Sequence, residues 1–176
     1  MVESVALLVD EVLPRLPMRQ WVLSFPFQLR FLFASRPEVM SRVLGIVYRA
    51  IETYLIHQAG MTRTAAKTGA VTLIQRFGSA LNANIHFHML FLDGVYVIGE
   101  EGLVFPCVRP PTRRSLEHLV QIVGQRVGAY LERRGLLVRD IENTYLALES
   151  TDSSTMDDPL GHSISYRIAV GLHGRS

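Results

Sequence analysis

The segment that most constrains the fold is residues 85–92, which reads Ile-His-Phe-His-Met-Leu-Phe-Leu and is followed by Asp-Gly. An almost unbroken apolar run of this length predicts a central β-strand that is covered on both faces. Because side chains alternate along a strand, His86 and His88 share one face while Phe87 and Met89 share the other. Two imidazoles among large apolar side chains need a hydrogen bond or a metal ion to offset their desolvation.

The composition fits one globular domain, since the chain has 176 residues of which 48% are hydrophobic and 19% are charged. Lys67 is the only lysine, so 17 of the 18 basic residues are arginine. Arginine binds phosphate well, and nucleic acid is therefore an admissible partner although the net charge is only +2. The single Cys107 excludes an internal disulfide within this sequence and fits a reducing cytosol. No stretch approaches the ~20 apolar residues of a membrane span.

Hydrophobic periodicity predicts the order strand, helix, hairpin, small hairpin, helix, strand after a short amphipathic helix at residues 1–13. Ser35 and Glu38 have the spacing of a capping box, and Thr112 is a second candidate helix cap. The predicted helices span 35–60 and 112–135, and the predicted strands span 20–25, 69–77, 85–92, 96–98, 103–105 and 163–170.

The βαββαβ order is that of a ferredoxin-like fold, in which both helices cover one face of an antiparallel sheet. The predicted fold class is therefore α+β, with the His-x-His segment on a central strand. The whole chain, 1–176, is predicted to be one domain. Residues 140–160 are rich in Ser, Thr, Asp and Glu and predict an irregular acidic loop, with a short apolar interruption at 145–148.

Three sequence blocks in order carry a resemblance to a known family. They are residues 21–30 (WVLSFPFQLR), 75–82 (QRFGSALN) and 86–88 (HFH), and a Leu-Asp-Gly turn follows the third block. Together they resemble the two-tyrosine rolling-circle transposases of bacterial insertion sequences, which belong to the HUH superfamily of single-strand endonucleases. The resemblance extends over about residues 5–175 and implies a bacterial cytoplasmic protein that takes part in DNA transposition.

The resemblance implies that His86 and His88 hold a divalent cation, Mn²⁺ or Mg²⁺, against the scissile phosphate of single-stranded DNA at the transposon ends. The third ligand is open between Gln75 and Asp93, and Gln75 is preferred because it lies on the neighbouring strand of the predicted hairpin. Imidazole favours transition metals over Mg²⁺, so Mn²⁺ should bind at least as well as Mg²⁺. In the family a tyrosine then attacks, which leaves a 5′-phosphotyrosine link and a free 3′-hydroxyl.

The catalytic tyrosines of the family follow the block that resembles residues 163–175, and this chain has no such motif there. Tyr130 is the best internal candidate, although its place in an apolar helical stripe fits a core role. Tyr145 and Tyr166 have no motif around them. A cysteine-rich zinc module also precedes this region in the family. We therefore expect a fragment that does not cleave DNA alone and whose partners include the missing parts of a longer transposase.

Each of these residues also has a simpler interpretation. The two histidines are equally compatible with hydrogen-bonded core positions when the flanking blocks are ignored, and Gln75 with a surface glutamine. Five arginines are candidate DNA contacts or parts of a solvated basic face: Arg30, Arg76, Arg109, Arg113 and Arg114. The alternative functions are a single-stranded DNA-binding remnant that does not cut, and a structural ferredoxin-like module. Metal binding separates the structural module from the other two, and nicking separates the enzyme from the remnant.

Overall fold

Two antiparallel three-stranded sheets and three helices form an α+β fold in the computed structural model. The structure describes residues 13–77, 83–139 and 144–146. The elements in chain order are β1 (Met18–Ser24), α1 (Phe27–Ser35), α2 (Pro37–Gln58), β2 (Ala66–Lys67), β3 (Ala70–Phe77), β4 (Ala83–Leu92), β5 (Tyr96–Gly99), β6 (Gly102–Val104), α3 (Arg113–Arg133), β7 (Leu137–Arg139) and β8 (Thr144–Leu146).

The histidine-bearing strand β4 lies in the middle of the first sheet, whose strand order is β1-β4-β3. Both of its neighbours are antiparallel to it, and His86 pairs with Ser24 of β1 and with Gln75 of β3. The predicted α+β class, the hairpin of β3 and β4 and the central position of the histidine strand are confirmed.

One face of this sheet packs against the helices and forms part of the hydrophobic core. Ile85, Phe87, Met89 and Phe91 alternate along β4 and are fully buried. They belong to one cluster with the apolar sides of all three helices. Burial of each such side chain stabilises the fold by about 1.5–3 kcal/mol, so this face anchors β4 between its two neighbours.

The opposite face, which bears the histidines, has no covering layer among the described residues. Val22 and Leu73 flank His88 on the two neighbouring strands and are 55% and 62% exposed. The expectation of a strand covered on both faces is therefore wrong for the described part of the chain. The apolar run predicted two covered faces, but the helices pack on one side of the sheet only and residues on the other side are accessible.

The predicted helix at 35–60 exists as α2, but it begins at Pro37 without a capping box. Its N-cap is Arg36, whose side chain makes no capping hydrogen bond. The hydroxyl of Ser35 instead donates to the carbonyl of Phe31 at 3.0 Å. Ser35 is therefore the last residue of α1, and the capping-box prediction is wrong.

Helix α1 itself was not predicted. Its nine residues place Leu29, Leu32 and Phe33 in the core while Phe27 and Phe31 are exposed. A helix with apolar side chains on both its inner and outer sides lacks the polar stripe by which periodicity identifies an amphipathic helix. The signal was therefore absent from the sequence pattern.

Helix α3 begins where the sequence predicts. The hydroxyl of Thr112 accepts a hydrogen bond from the backbone N–H of Ser115 at 3.2 Å, which confirms the predicted cap. The buried residues face the core and recur at three- or four-residue intervals, with Gly128 directly after Val127: Leu119, Val123, Val127, Gly128 and Leu131.

A second sheet, in the order β2-β5-β6, contains the predicted small hairpin of β5 and β6. Its third strand, β2, lies in the segment 61–68 that the sequence predicts as a loop, because its backbone pairs with β5. Gly94 connects β4 to this sheet and forms a bridge with Cys107. A Cβ atom at Gly94 would lie 2.6 Å from the carbonyl oxygen of Pro106, so only glycine fits this close approach of two backbones.

The sole tryptophan, Trp21, lies on the core side of β1, where it pairs with Met89. Its ring meets that of Tyr54 edge to face, with 6.1 Å between the ring centroids. The indole Nε1 is buried and has no hydrogen-bond partner among the described residues. This ring therefore contributes to the sheet through packing and not through a polar contact.

Some sequence predictions fall outside the described residues: the helix at 1–13 except for its last residue, the strand at 163–170, and most of the loop at 140–160. Within that loop, Thr144–Leu146 is strand β8, because its backbone pairs with β7 in the register Val138 to Tyr145. The prediction of an irregular segment is wrong at these three residues. None of the described helices is both long and apolar enough to cross a bilayer.

Candidate functional site

The two histidines project side by side from the open face of β4. Their ring centroids are 6.3 Å apart, and both side chains are half-buried. The arrangement follows from the alternation of a strand, because residues 86 and 88 are two positions apart. Phe87 and Met89 are buried in the core on the opposite face of β4 and fix its backbone. The two imidazoles therefore project from a rigid strand.

Gln75 joins the histidines from the adjacent strand β3. Its Oε1 lies 3.1 Å from Nε2 of His88, and its backbone is opposite His86 in the register. The register of β3 shifts after Gln75, at an irregularity before Phe77. Bulges of this kind re-aim side chains next to functional sites. The structure thus brings together the three residues that the sequence predicts as metal ligands.

Strand β1 supplies two further polar contacts that sequence reasoning missed. Ser24 Oγ lies 2.8 Å from Nδ1 of His86, and Gln20 Nε2 lies 3.3 Å from Nδ1 of His88. Both contacts engage Nδ1. The amide nitrogen of Gln20 donates, so Nδ1 of His88 accepts and its Nε2 carries the proton toward Oε1 of Gln75. Partners of this kind fix the tautomer and the orientation of a metal-ligating histidine. The only available signal was that Gln20 and Ser24 lie four positions apart on β1 and therefore on the same face of the strand.

The electrostatic surroundings favour the neutral form of one imidazole. The pKa of His86 is lowered by burial, by the positive charge of Arg30 and by the neighbouring His88. Arg30 lies on α1, and its Nε donates to the carbonyl of Phe25, the residue after β1, at 2.6 Å. Neutral imidazole is the form that binds a metal ion.

Asp93, the alternative third ligand, is engaged elsewhere. Nε of Arg19 donates to its Oδ1 at 2.9 Å, and a second guanidinium nitrogen contacts Oδ2. The ion pair is part-buried and joins β1 to the turn after β4. Asp93 therefore serves the connection between two strands, and this geometry favours Gln75 over Asp93 beside the histidines.

The structure brings one of the five predicted DNA-contacting arginines, Arg30, close enough to His86 to affect its pKa. Arg76 is exposed on β3 directly after Gln75. Arg113 forms an ion pair with Glu117 at 2.9 Å, one turn along α3. Arg109 and Arg114 are exposed, and no recorded contact joins them to the histidines.

None of the four tyrosines whose side chains are described has a recorded contact with the histidines. Tyr48 donates to the carbonyl of Thr68, Tyr54 packs on Trp21, and Tyr96 packs on Phe105. Tyr130, the internal candidate for the nucleophile, lines a groove between α2 and α3. The side chains of Tyr145 and Tyr166 lie outside the described residues.

Comparison with known proteins adds one finding. Residues 69–154 match the family model Y2_Tnp, which has the description "Putative transposase". The match supports a transposase family. This transposase-like region contains β3, β4 and α3, and with them Gln75, His86 and His88, whereas β1 and α1 precede it. The match to a transposase family model thus supports a general role in DNA transposition, with nuclease or strand-transfer activity. Searches of curated proteins and of solved structures found no match.

Proposed function

We propose that this chain provides the cation-holding part of an enzyme that nicks and transfers single-stranded DNA through a phosphotyrosine link, as in the HUH transposases that its sequence resembles. The observation that supports this proposal is the cluster of His86, His88 and Gln75 on the open face of a central strand. The cluster lies inside the region that matches a transposase family.

The donor set fits a divalent cation, Mn²⁺ or Mg²⁺. Two ligands that bind one ion at a right angle through bonds of ~2.1 Å lie roughly 3 Å apart, which matches the 3.1 Å between Oε1 of Gln75 and Nε2 of His88. The ring centroids of the histidines, 6.3 Å apart, would approach each other on binding. Among the described residues, no three His, Cys, Asp or Glu side chains form a metal-binding group. In this proposal the third protein ligand is the amide oxygen of Gln75, which lies 3.1 Å from Nε2 of His88.

Each residue of the cluster has a distinct part in this proposal. His86 and His88 would hold the ion, which would replace the contact between Nε2 of His88 and Gln75, while Ser24 and Gln20 contact the two Nδ1 atoms. A bound cation would polarise the oxygens of the scissile phosphate and stabilise charge on the leaving group. Arg30 adds positive charge next to His86, where a phosphate would approach. Two nitrogen donors favour Mn²⁺ over Mg²⁺.

The preference for single-stranded DNA is supported by α1. Phe27 and Phe31 lie one helical turn apart and are 73% and 58% exposed, on either side of Arg30 in sequence. Unpaired bases stack on exposed aromatic rings, and each stacked base contributes about 1–3 kcal/mol. Paired bases within a duplex do not offer their faces in this way. These two phenylalanines are further candidate contacts that the sequence analysis did not identify.

The metal-binding part of the proposal is tested by thermal unfolding with Mn²⁺. An ion at 100 times its dissociation constant stabilises the folded state by about 2.7 kcal/mol and raises the melting temperature. His86→Ala with His88→Ala should abolish this rise. The matched control is His57→Ala with His118→Ala, which removes two exposed histidines from α2 and α3. An equal rise in the histidine-cluster variant, or its loss in the control, would contradict the proposal.

The cleavage part requires a nucleophile, and no described tyrosine lies beside the cluster. A reaction without an aligned nucleophile loses a proximity advantage of about 7–11 kcal/mol. We therefore expect this chain alone to give no covalent adduct with labelled single-stranded DNA and Mn²⁺ on denaturing electrophoresis. An adduct that disappears on Tyr130→Phe would make that residue the nucleophile.

The second candidate function is binding of single-stranded DNA without cleavage, which is favoured by the positions of the described tyrosines. An experiment in which a peptide or domain with a tyrosine nucleophile is supplied in trans distinguishes the two candidate functions. Cleavage that depends on His86 and His88 supports the enzyme. DNA binding that Mn²⁺ and both histidine substitutions leave unchanged supports the binding protein.

A further inference from the structure

A groove on the helical side of the molecule gathers four arginines. It is a cavity of about 250 Å³ between α2 and α3, with Ile46, Ala129 and Tyr130 in its lining. The arginines stand around these three residues: Arg42, Arg49, Arg126 and Arg133. Both helices pack against the face of the sheet that bears Phe87, whereas His86 and His88 project from the opposite face of the sheet. The groove is therefore separate from the histidine cluster.

The sequence produces two rows of positive charge. Arg42 and Arg49 are seven residues apart on α2, and Arg126 and Arg133 are seven residues apart on α3. Seven residues are close to two helical turns, so the members of each pair lie on one side of their helix, about 10 Å apart along its axis. Packing of α2 against α3 then brings the two rows to one groove.

These charges have no acidic counterpart in the part of the chain that the structure describes. Arg42, Arg49 and Arg126 form no ion pair there, and no acidic side chain lines the groove. Arg133 uses its Nε for the carbonyl of Ala129 at 3.0 Å. Like charges in one groove repel each other, and no acidic side chain of its lining offsets this repulsion. An anionic ligand would turn the repulsion into attraction.

The geometry favours an extended chain of phosphates. Guanidinium groups bind phosphate oxygens through paired N–H donors. A single small anion would satisfy one or two arginines, whereas two rows about 10 Å long suit successive phosphates. We propose that this groove binds the phosphodiester backbone of nucleic acid and gives the protein a second nucleic-acid surface, on the side opposite the histidines.

The proposal does not depend on the function of the histidine cluster, and its test is arranged accordingly. Binding of fluorescent 30-nucleotide single-stranded and 30-base-pair duplex DNA is measured by anisotropy at several salt concentrations. Divalent metal is omitted, and every variant is made in the His86→Ala, His88→Ala background. A failure of the proposed metal site therefore leaves this measurement unaffected.

The test variant is Arg42→Gln with Arg126→Gln, which removes one charge from each row. Each lost phosphate contact reduces the salt dependence of log affinity by roughly 0.7 for single strands and 0.9 for duplexes. We expect a roughly tenfold loss of affinity and a decrease of about 1.4 or 1.8 in the slope for the preferred DNA form. Arg42→Lys with Arg126→Lys should keep the slope, because it retains both charges.

The matched control is Arg15→Gln with Arg63→Gln, two exposed arginines outside the groove, of which Arg63 already forms an ion pair with Glu52. It should change the slope by less than half as much. The proposal is overturned by an unchanged slope in the glutamine variant, by an equal decrease in the control, or by a lysine variant as weak as the glutamine one. Binding to phosphatidylserine vesicles that the glutamine variant loses, with DNA binding unchanged, would assign the groove to a membrane surface and also overturn it.

Discussion

The two faces of strand β4 contain alternate residues of the same short segment and serve different purposes. Phe87 and Met89 are fully buried against the helices, while His86 and His88 face away from the core with polar partners from both neighbouring strands. The buried face fixes the position of the backbone. The open face can then hold imidazoles in a defined arrangement without taking part in the core.

Neighbouring residues of β4 therefore have different functions, because one faces the core and the next faces the histidine side. A substitution on the buried face should lower the free energy of unfolding, whereas one on the open face should change ligand binding with little effect on stability. The following predictions test this separation.

The largest effect is expected from Phe87→Ala, which leaves a cavity at a fully buried position. Such substitutions cost about 3–5 kcal/mol, whereas exposed surface changes stay within about 0.5 kcal/mol. Val22→Ala on the open face is the matched control, since Val22 is 55% exposed. Denaturant unfolding of both variants measures the difference. Similar losses in the two variants would mean that the open face is covered in solution.

Ser24→Ala should weaken Mn²⁺ binding by about 10–100-fold, the effect typical of losing a group that orients a metal ligand. The unfolding free energy should change little, because Ser24 is exposed. Ser41→Ala on α2 removes an exposed hydroxyl far along the chain from the cluster and should leave the affinity unchanged. Calorimetric titration with Mn²⁺ gives both affinities. Equal affinities for Ser24→Ala and the original protein would show that the contact does not position His86.

Asp93→Asn distinguishes a strand-connecting role from a ligand role. Loss of its paired contact with Arg19 should cost about 1 kcal/mol of unfolding free energy, the upper range for accessible ion pairs. Mn²⁺ affinity should remain as it is, because Gln75 is the proposed third ligand. A large loss of affinity with unchanged stability would exchange the roles of Asp93 and Gln75.

The smallest effect concerns pH. The pKa of His86 is lowered in the folded state, chiefly by burial, so the unfolded chain binds more protons between that pKa and about 6.5. Stability should therefore fall as the pH decreases from about 6.5 through the folded pKa. His86→Ala should reduce this fall, and His57→Ala should not. Thermal unfolding without metal at about pH 7.5 and pH 5.5 measures it.

The sequence predicted the structural elements that are determined by a long hydrophobic pattern. Helix α2, helix α3 and the alternation along β4 all have strong periodicity, and that alternation also placed His86 and His88 on one face. Their approach to Gln75 followed from a short hairpin, which limits the possible registers.

Features that depend on contacts between distant segments were not predictable. Ser24 meets His86 across 62 positions of sequence, and Gln20 meets His88 across 68. The register of β1 against β4 decides both contacts, and no local signal encodes that register. Likewise, the arginines of the α2–α3 groove converge only because two helices pack, although each seven-residue spacing is visible in the sequence.

Trp21 makes the central sheet optically observable without any label. It is the only tryptophan, it pairs with Met89 of β4, and its indole nitrogen lacks a hydrogen-bond partner within the described residues. Its emission should therefore be that of an indole in an apolar environment and should shift to longer wavelength when β1 separates from β4. One intrinsic signal can thus follow the separation of β1 from β4, the strand pair on which the histidine cluster depends.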